Sequence, residues 1–232
     1  MPAAYQALLA LEAMRLPAVP SSSEPRTPDP AMSLDPSEPL VSVQPDRRLI
    51  VRPLLAERGY PGSGSTLYLR REAAARLKTA AASLPDDFSL VLVDAWRSDV
   101  AQMALHARMA RESPEGGAFP VFDPFDEQAG VVPPHRTGGA VDVGLLGHGG
   151  LPWPMDPVGN DGKPVPTPTT AALEGLLGAA RPALLGRRLL YYVMTRAGFT
   201  NFELEWWHYD FGNDAWCRRT ASSLPAWGPT AP

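Results

Sequence analysis

The chain has one cysteine, Cys217, in 232 residues, so no intramolecular disulfide can hold the fold. Cys217 is expected to be a packed structural thiol. An excess of basic residues is also missing. Lys and Arg number 21 against 25 Asp and Glu, a formal net charge of −4, and the pI is near 5.6. That balance excludes the electropositive surface needed for nucleic acid or anionic lipid, so neither is expected as a partner. No stretch approaches the run of about 18 apolar residues that reads as a membrane span. Met1 to Leu9 has no Lys or Arg, and Glu12 interrupts the apolar stretch that follows, so the parts of a secretory signal are lacking and a cytoplasmic location is expected. Histidines number only four, so any grouping of them is informative. Proline is abundant at 27.

Hydrophobic residues at 44% and charged residues at 20% fit a soluble globular chain with one sizeable core. Ala3 to Leu16 has a short amphipathic pattern, with Leu8, Leu9, Ala13 and Leu16 on one side. Pro17 ends it, and the proline-dense segment to about Pro45 favours extended, solvated chain. Residues 1–40 are therefore expected to form an appendage, 41–220 the folded domain and 221–232 a flexible tail. Arg70 to Leu84 is Ala-rich and predicts a helix. Phe88 to Asp94 has the length and composition of a buried strand. Asp99 to Arg111 predicts a helix capped by Ser98, with Val100, Met103, Ala104 and Ala107 inward. Ser113 to Pro134 and Gly147 to Thr169 read as loops around a strand at Ala140 to Leu145. Ala183 to Ala197 predicts a helix closed by Gly198, and Phe202 to Phe211 a terminal strand or hairpin. The mixture implies an α+β fold in which helices flank an antiparallel central sheet.

Two stretches carry chemistry. Asn201 to Asn213 reads NFELEWWHYDFGN and sets Glu205 three residues before His208. Pro133 to Leu145 reads PPHRTGGAVDVGL and sets His135 seven residues before Asp142. Two imidazoles and a carboxylate are the protein ligands of a catalytic zinc site with one position left open for water, and one ion per chain is expected. Glu205 is the spare carboxylate, suited to take a proton from that water and pass it to a leaving amine. Gly138 and Gly139 are expected to allow unusual backbone shapes and leave room near the metal. On a regular strand Glu205 and His208 would point to opposite faces, so the chain has to turn or bulge at Trp206–Trp207. His106 and His148 lack partner motifs and are expected to lie outside the site.

These residues resemble a known family. PPHRTGGAVDVGL is similar to the zinc signature S-x-H-x-x-G-x-A-x-D of the M15 metallopeptidases. ELEWWHYDF resembles their E-x-x-H signature in the E-W-W-H-Y form of the D-Ala-D-Ala dipeptidases associated with vancomycin resistance, and LVDAWRS resembles the D-G-Y-R-P segment of the same dipeptidases. The likeness spans roughly residues 48–215. It implies His135, Asp142 and His208 as zinc ligands, Glu205 as the catalytic base and Arg97 as the group that polarises the scissile carbonyl and steadies the tetrahedral oxyanion. It also implies a small dipeptide as substrate. Beside it, Asp94 is a candidate anchor for Arg97 or nearby backbone, and Trp206 and Trp207 are candidates for lining the pocket. For the acidic residue that meets the substrate ammonium, the candidates are Asp156, Asn160 and Asp161.

The chain departs from the pattern in two places. Pro133 stands where the signature has serine, which removes a hydroxyl, and Ser98 replaces the proline of Y-R-P. Three readings therefore stay open beside a D,D-dipeptidase: a D,D-carboxypeptidase acting on peptidoglycan stem peptides, a peptidase for L-containing dipeptides, and a non-catalytic zinc-binding interaction module. Oligomeric state is not legible in the sequence.

Overall fold

The computed structural model describes residues 3–20, 33–112, 132–159, 163–167, 169–174 and 178–232. In chain order the elements are α1 (Ala3–Ala13), β1 (Leu40–Ser42), β2 (Leu49–Val51), α2 (Leu54–Glu57), β3 (Tyr68–Arg70), α3 (Arg71–Ala82), β4 (Ser89–Asp94), α4 (Asp99–Glu112), β5 (Ala140–Leu146), α5 (Arg181–Arg196), β6 (Thr200–Asn201), β7 (His208–Asp210) and α6 (Asp214–Thr220). The expected α+β architecture holds. A five-stranded sheet runs β2-β4-β5-β7-β6, and β1 and β3 form a small separate pair. All neighbours in the main sheet are antiparallel except β2, which runs parallel to β4 and departs from the fully antiparallel expectation. The crossover through α2, β3 and α3 brings β4 back in the same direction as β2.

β4 is apolar on both faces because it is central. Leu90 and Leu92 join Val141, Val143 and Leu145 of β5 in the main core, with Leu77 and Ala80 of α3 and Leu185 and Leu189 of α5. The Ala-rich run that predicts α3 lets that helix lie close to this core, with Ala73, Ala74, Leu77, Ala80 and Ala81 buried. Helix α5 ends as expected at Gly198, whose φ of +98° suits glycine. Its buried face includes Arg187, whose guanidinium donates to the carbonyls of Met155, Thr167 and Thr169 and pairs with Asp156 at 2.8 Å.

Two helices present a different side from the one expected. In α1 the buried residues are Ala7 and Leu11, with Leu8 packed against the core, while Leu9 and Ala13 face solvent. Residues 3–18 are also tied to α5, through Arg181 to Glu12, Arg188 to the Leu16 carbonyl and Tyr192 to the Ala18 carbonyl. In α4, capped by Ser98 as expected, Val100 and Met103 are 54% and 42% exposed and the buried positions are Ala101 and Gln102. Apolar periodicity misjudges this helix because its inner side meets a guanidinium, and Gln102 serves that polar neighbour. The loop expected at Ser113 to Pro134 falls mostly on residues 113–131, outside the described part. The described part of the stretch after β5 is largely irregular as expected, stitched by the bridges Leu146↔Pro152 and Val158↔Pro164.

The tail corrects the expectation of a flexible end. Trp227 is 1% exposed, its backbone N–H donates to Gly212 and its indole N–H to the Asp35 carbonyl. The Thr230 carbonyl in turn accepts from the Trp96 indole. Ser- and Pro-rich composition conceals this anchor, because one large aromatic residue is enough to dock a short segment. Trp227→Ala is expected to cost about 3–5 kcal/mol, read as a lower denaturant midpoint, through loss of buried contacts. A change within about 0.5 kcal/mol would mean that the tail is not docked in solution.

Candidate metal centre

Three adjacent strands place the site. Asp94 of β4 is opposite Asp142 of β5, and Asp142 is opposite His208 of β7. Directly opposed residues share a face, so three polar side chains converge across the sheet. The register of β4 shifts between Leu92 and Asp94, which brings Asp94 rather than Val93 into line. His135 comes from the turn Pro134–Thr137 just before β5, and its carbonyl accepts from the Arg97 backbone N–H at 3.2 Å.

Of the two glycines after that turn, Gly138 takes an unusual backbone shape as expected, but the room the pair provides is not beside a metal. Gly138 has φ of +73°, and a Cβ there would lie 2.3 Å from Leu40. A Cβ on Gly139 would lie 2.3 Å from the Phe211 carbonyl oxygen, while the Gly139 carbonyl accepts from the Phe211 N–H at 2.8 Å. The space they provide is filled by protein, and Gly139 lets the end of β7 close on β5 in the register that pairs Asp142 with His208.

The required turn before His208 is present. The chain leaves β6 at Asn201, and Glu205 and His208 donate backbone hydrogen bonds to the carbonyls of Phe202 and Glu205. The Asn201 side chain clamps the loop by donating to the Glu205 and His208 carbonyls at 3.1 and 2.9 Å. Glu205 thereby reaches the same side as His208, with Oε2 4.0 Å from His208 Nδ1.

His135, Asp142 and His208 are the group of potential metal ligands found among the described residues. His135 Nε2 lies 3.2 Å from His208 Nδ1 and 3.4 Å from Asp142 Oδ1, and His208 Nδ1 lies 3.1 Å from Asp142 Oδ1. Ligands about 2.0–2.2 Å from a tetrahedral zinc ion stand roughly 3.3–3.6 Å apart, so these atoms fit a single ion. The outer ring nitrogens support this. His135 Nδ1 faces the Ala95 carbonyl at 2.6 Å and His208 Nε2 faces Asp210 Oδ1 at 3.2 Å. A carbonyl can only accept, so the His135 proton sits on Nδ1; the Asp210 carboxylate draws the His208 proton to Nε2 in the same way. The two inner nitrogens then carry lone pairs aimed at each other and at a carboxylate, an arrangement that calls for a cation. Burial disfavours a charged His208, but Asp210 and Asp142 hold its pKa well above the ordinary value. A proton and a metal ion compete for that same lone pair. Burial raises the Asp142 carboxyl, yet the two histidines outweigh it and hold its pKa far below the usual range.

Glu205 differs from the other carboxylates. Burial dominates and pushes its pKa up to about 7, against the pull of His208, His135 and Arg97. Arg97 is buried beside it. Its Nε and Nη2 donate to Asp94 Oδ2 and its Nη1 to Gln102 Oε1 at 2.6 Å, while Nη2 lies 3.9 Å from Asp142 Oδ2. Burial lowers its pKa, but Asp94, Asp142 and Glu205 together keep it above the ordinary value. Asp94 therefore anchors Arg97. All these groups line a cleft of about 600 Å³, walled in part by Trp206 and Trp207, whose rings meet edge to face.

Not every expected residue joins them. Asp156 pairs with Arg187 and accepts from the Thr167 N–H, which pins its loop, and it is not among the described residues lining the cleft. Asn160 and Asp161 lie outside the described residues. His106 and His148 stand apart from the cluster, and Cys217 is a buried thiol directed at the Leu224 carbonyl. Sequence reasoning missed Asp210, Gln102 and Asn201. The D of HYDFGN, two residues past His208 and so on the same side of a strand, was a usable signal for Asp210. Asn213 and Arg219 hold that carboxylate in turn.

Residues 57–225, well over half the chain, match the family model Peptidase_M15, described as D-ala-D-ala dipeptidase. The chain belongs to this metallopeptidase family. No curated protein matches it. Asp210→Ala, which leaves the three ligand side chains in place, is expected to weaken metal binding about 10- to 100-fold in a chelator-competition titration, because the His208 ring loses its orienting partner. Unaltered affinity would show that Asp210 does not position the ring.

Proposed function

We propose that this M15 metallopeptidase hydrolyses the peptide bond of small D-amino-acid dipeptides such as D-Ala-D-Ala, with one zinc ion held by His135, Asp142 and His208. The observation that carries the reading is the placement of a spare carboxyl, Glu205, beside a ligand set that fits one tetrahedral ion and a buried guanidinium. When bound, the ion supplies Lewis acidity, drawing the pKa of a water in the site towards about 7 and polarising the substrate carbonyl.

The remaining steps belong to the side chains. Glu205 accepts the proton of the attacking water and returns it to the departing amine, a role that a carboxyl poised near neutral pH performs in both directions. Arg97 faces the charge that develops on the carbonyl oxygen. Guanidinium has five N–H donors, and the bonds to Asp94 and Gln102 use three, so donors remain for an oxyanion. Asp94 and Gln102 fix the plane of that group before substrate arrives, so no reorganisation is needed during the reaction. Trp206 and Trp207 shield the centre from bulk water, which strengthens the electrostatic interactions within it.

The test is release of free D-Ala from D-Ala-D-Ala by the zinc-loaded protein. Glu205→Gln is expected to lower kcat about 10²- to 10⁴-fold with zinc retained; unchanged kcat would remove Glu205 from the mechanism. A base must be deprotonated to act, so kcat/KM is expected to rise with pH through the Glu205 pKa. That limb lies at or below about pH 7, because a bound cation moves the carboxyl down from that value. A profile in which Glu205→Gln retains the same limb would assign it to another group.

A further inference from the structure

The cleft that contains the cluster is larger and more apolar than two alanines require. Its volume of about 600 Å³ lies in the middle of the range, about 300–1,000 Å³, that encloses drug-sized ligands. Leu54 and Leu55 of α2, Leu105 and Met109 of α4, Val132 and Trp207 line it together with His135, Asp142 and Glu205. Each of these six is only partly buried, so apolar surface faces this one concavity. Pro133 lines the same space, so an apolar ring stands where the family signature has a hydroxyl. Gln102, on the same side of the cleft, is committed to Arg97. Methyl side chains would leave most of this surface in water, whereas a branched or aromatic side chain would cover it.

We infer that the cleft is a side-chain subsite for a bulky apolar residue, and that the preferred substrate is a D-dipeptide with leucine- or phenylalanine-like bulk in at least one position. This rests on the dipeptidase reading above. The occupant is a substrate side chain because the apolar wall and the ligand cluster border one continuous cavity.

The experiment compares kcat/KM for D-Ala-D-Ala, D-Ala-D-Leu, D-Leu-D-Ala, D-Ala-D-Phe and a stem pentapeptide ending in D-Ala-D-Ala, using the full zinc-loaded chain. The subsite predicts that at least one bulky dipeptide exceeds D-Ala-D-Ala by about tenfold or more, since each buried methylene in a fitted pocket is worth at least about that factor. It also predicts that Met109→Asn reduces that ratio severalfold, read as the ratio between two substrates on one protein sample. If D-Ala-D-Ala equals or exceeds every bulky dipeptide, the inference fails and the dipeptidase reading stands. If the pentapeptide is preferred, the cleft accommodates a longer peptide and the inference fails. If no D-dipeptide is cleaved while zinc is bound, the dipeptidase reading fails as well.

Discussion

The site depends on one register. Pairing β5 with β7 so that Asp142 is opposite His208 puts a carboxylate and an imidazole on the same face, and a slip of one residue would send one of them into the core. Gly139 makes that register possible, because a side chain there would collide with the Phe211 carbonyl. The β4 shift at Leu92–Asp94 extends the row to a third strand, and Asp94 then fixes Arg97. Chemistry that looks scattered in sequence, from Asp94 to His208, is a line across three neighbouring strands.

The charge balance of that line explains why it invites an ion. Asp94, Asp142 and Asp210 are largely buried, and Glu205 adds a fourth carboxyl at the cleft. Arg97 and Arg219 are the guanidiniums facing them. With both imidazoles neutral, the four ionised carboxylates exceed the two guanidiniums by the charge of one divalent ion, and isolated buried charge is costly. Glu205 is the group in which burial prevails, pushing its pKa up to about 7. The other carboxylates are held by partners: Asp94 by Arg97, Asp142 by the histidines, Asp210 by His208, Asn213 and Arg219.

Much of this was legible in the sequence. β4 and the helices α3 and α5 follow from composition and periodicity, and the odd spacing of Glu205 and His208 required the turn that β6 and β7 enclose. The ligand trio was readable because few residue types bind metal and their spacing was distinctive. What stayed hidden depends on distant partners. Gln102 looks like a surface residue of α4 until Arg97 is placed beneath it, and this reverses the inward face of that helix. Asp156 looks like an amine-binding acid until the buried guanidinium of Arg187 claims it. Trp227 sits in a tail of disordered composition, and only the surface it covers, next to Gly212 and Asp35, reveals it as part of the core.

Anomalous diffraction at the zinc edge, from crystals of the zinc-loaded protein, tests the ligand set most directly. One anomalous peak per chain is expected, within bonding distance of His135 Nε2, His208 Nδ1 and Asp142 Oδ1, with Glu205 beside the ion and not bound to it. A peak elsewhere, or an ion bound through the nitrogens that face Ala95 and Asp210, would contradict it.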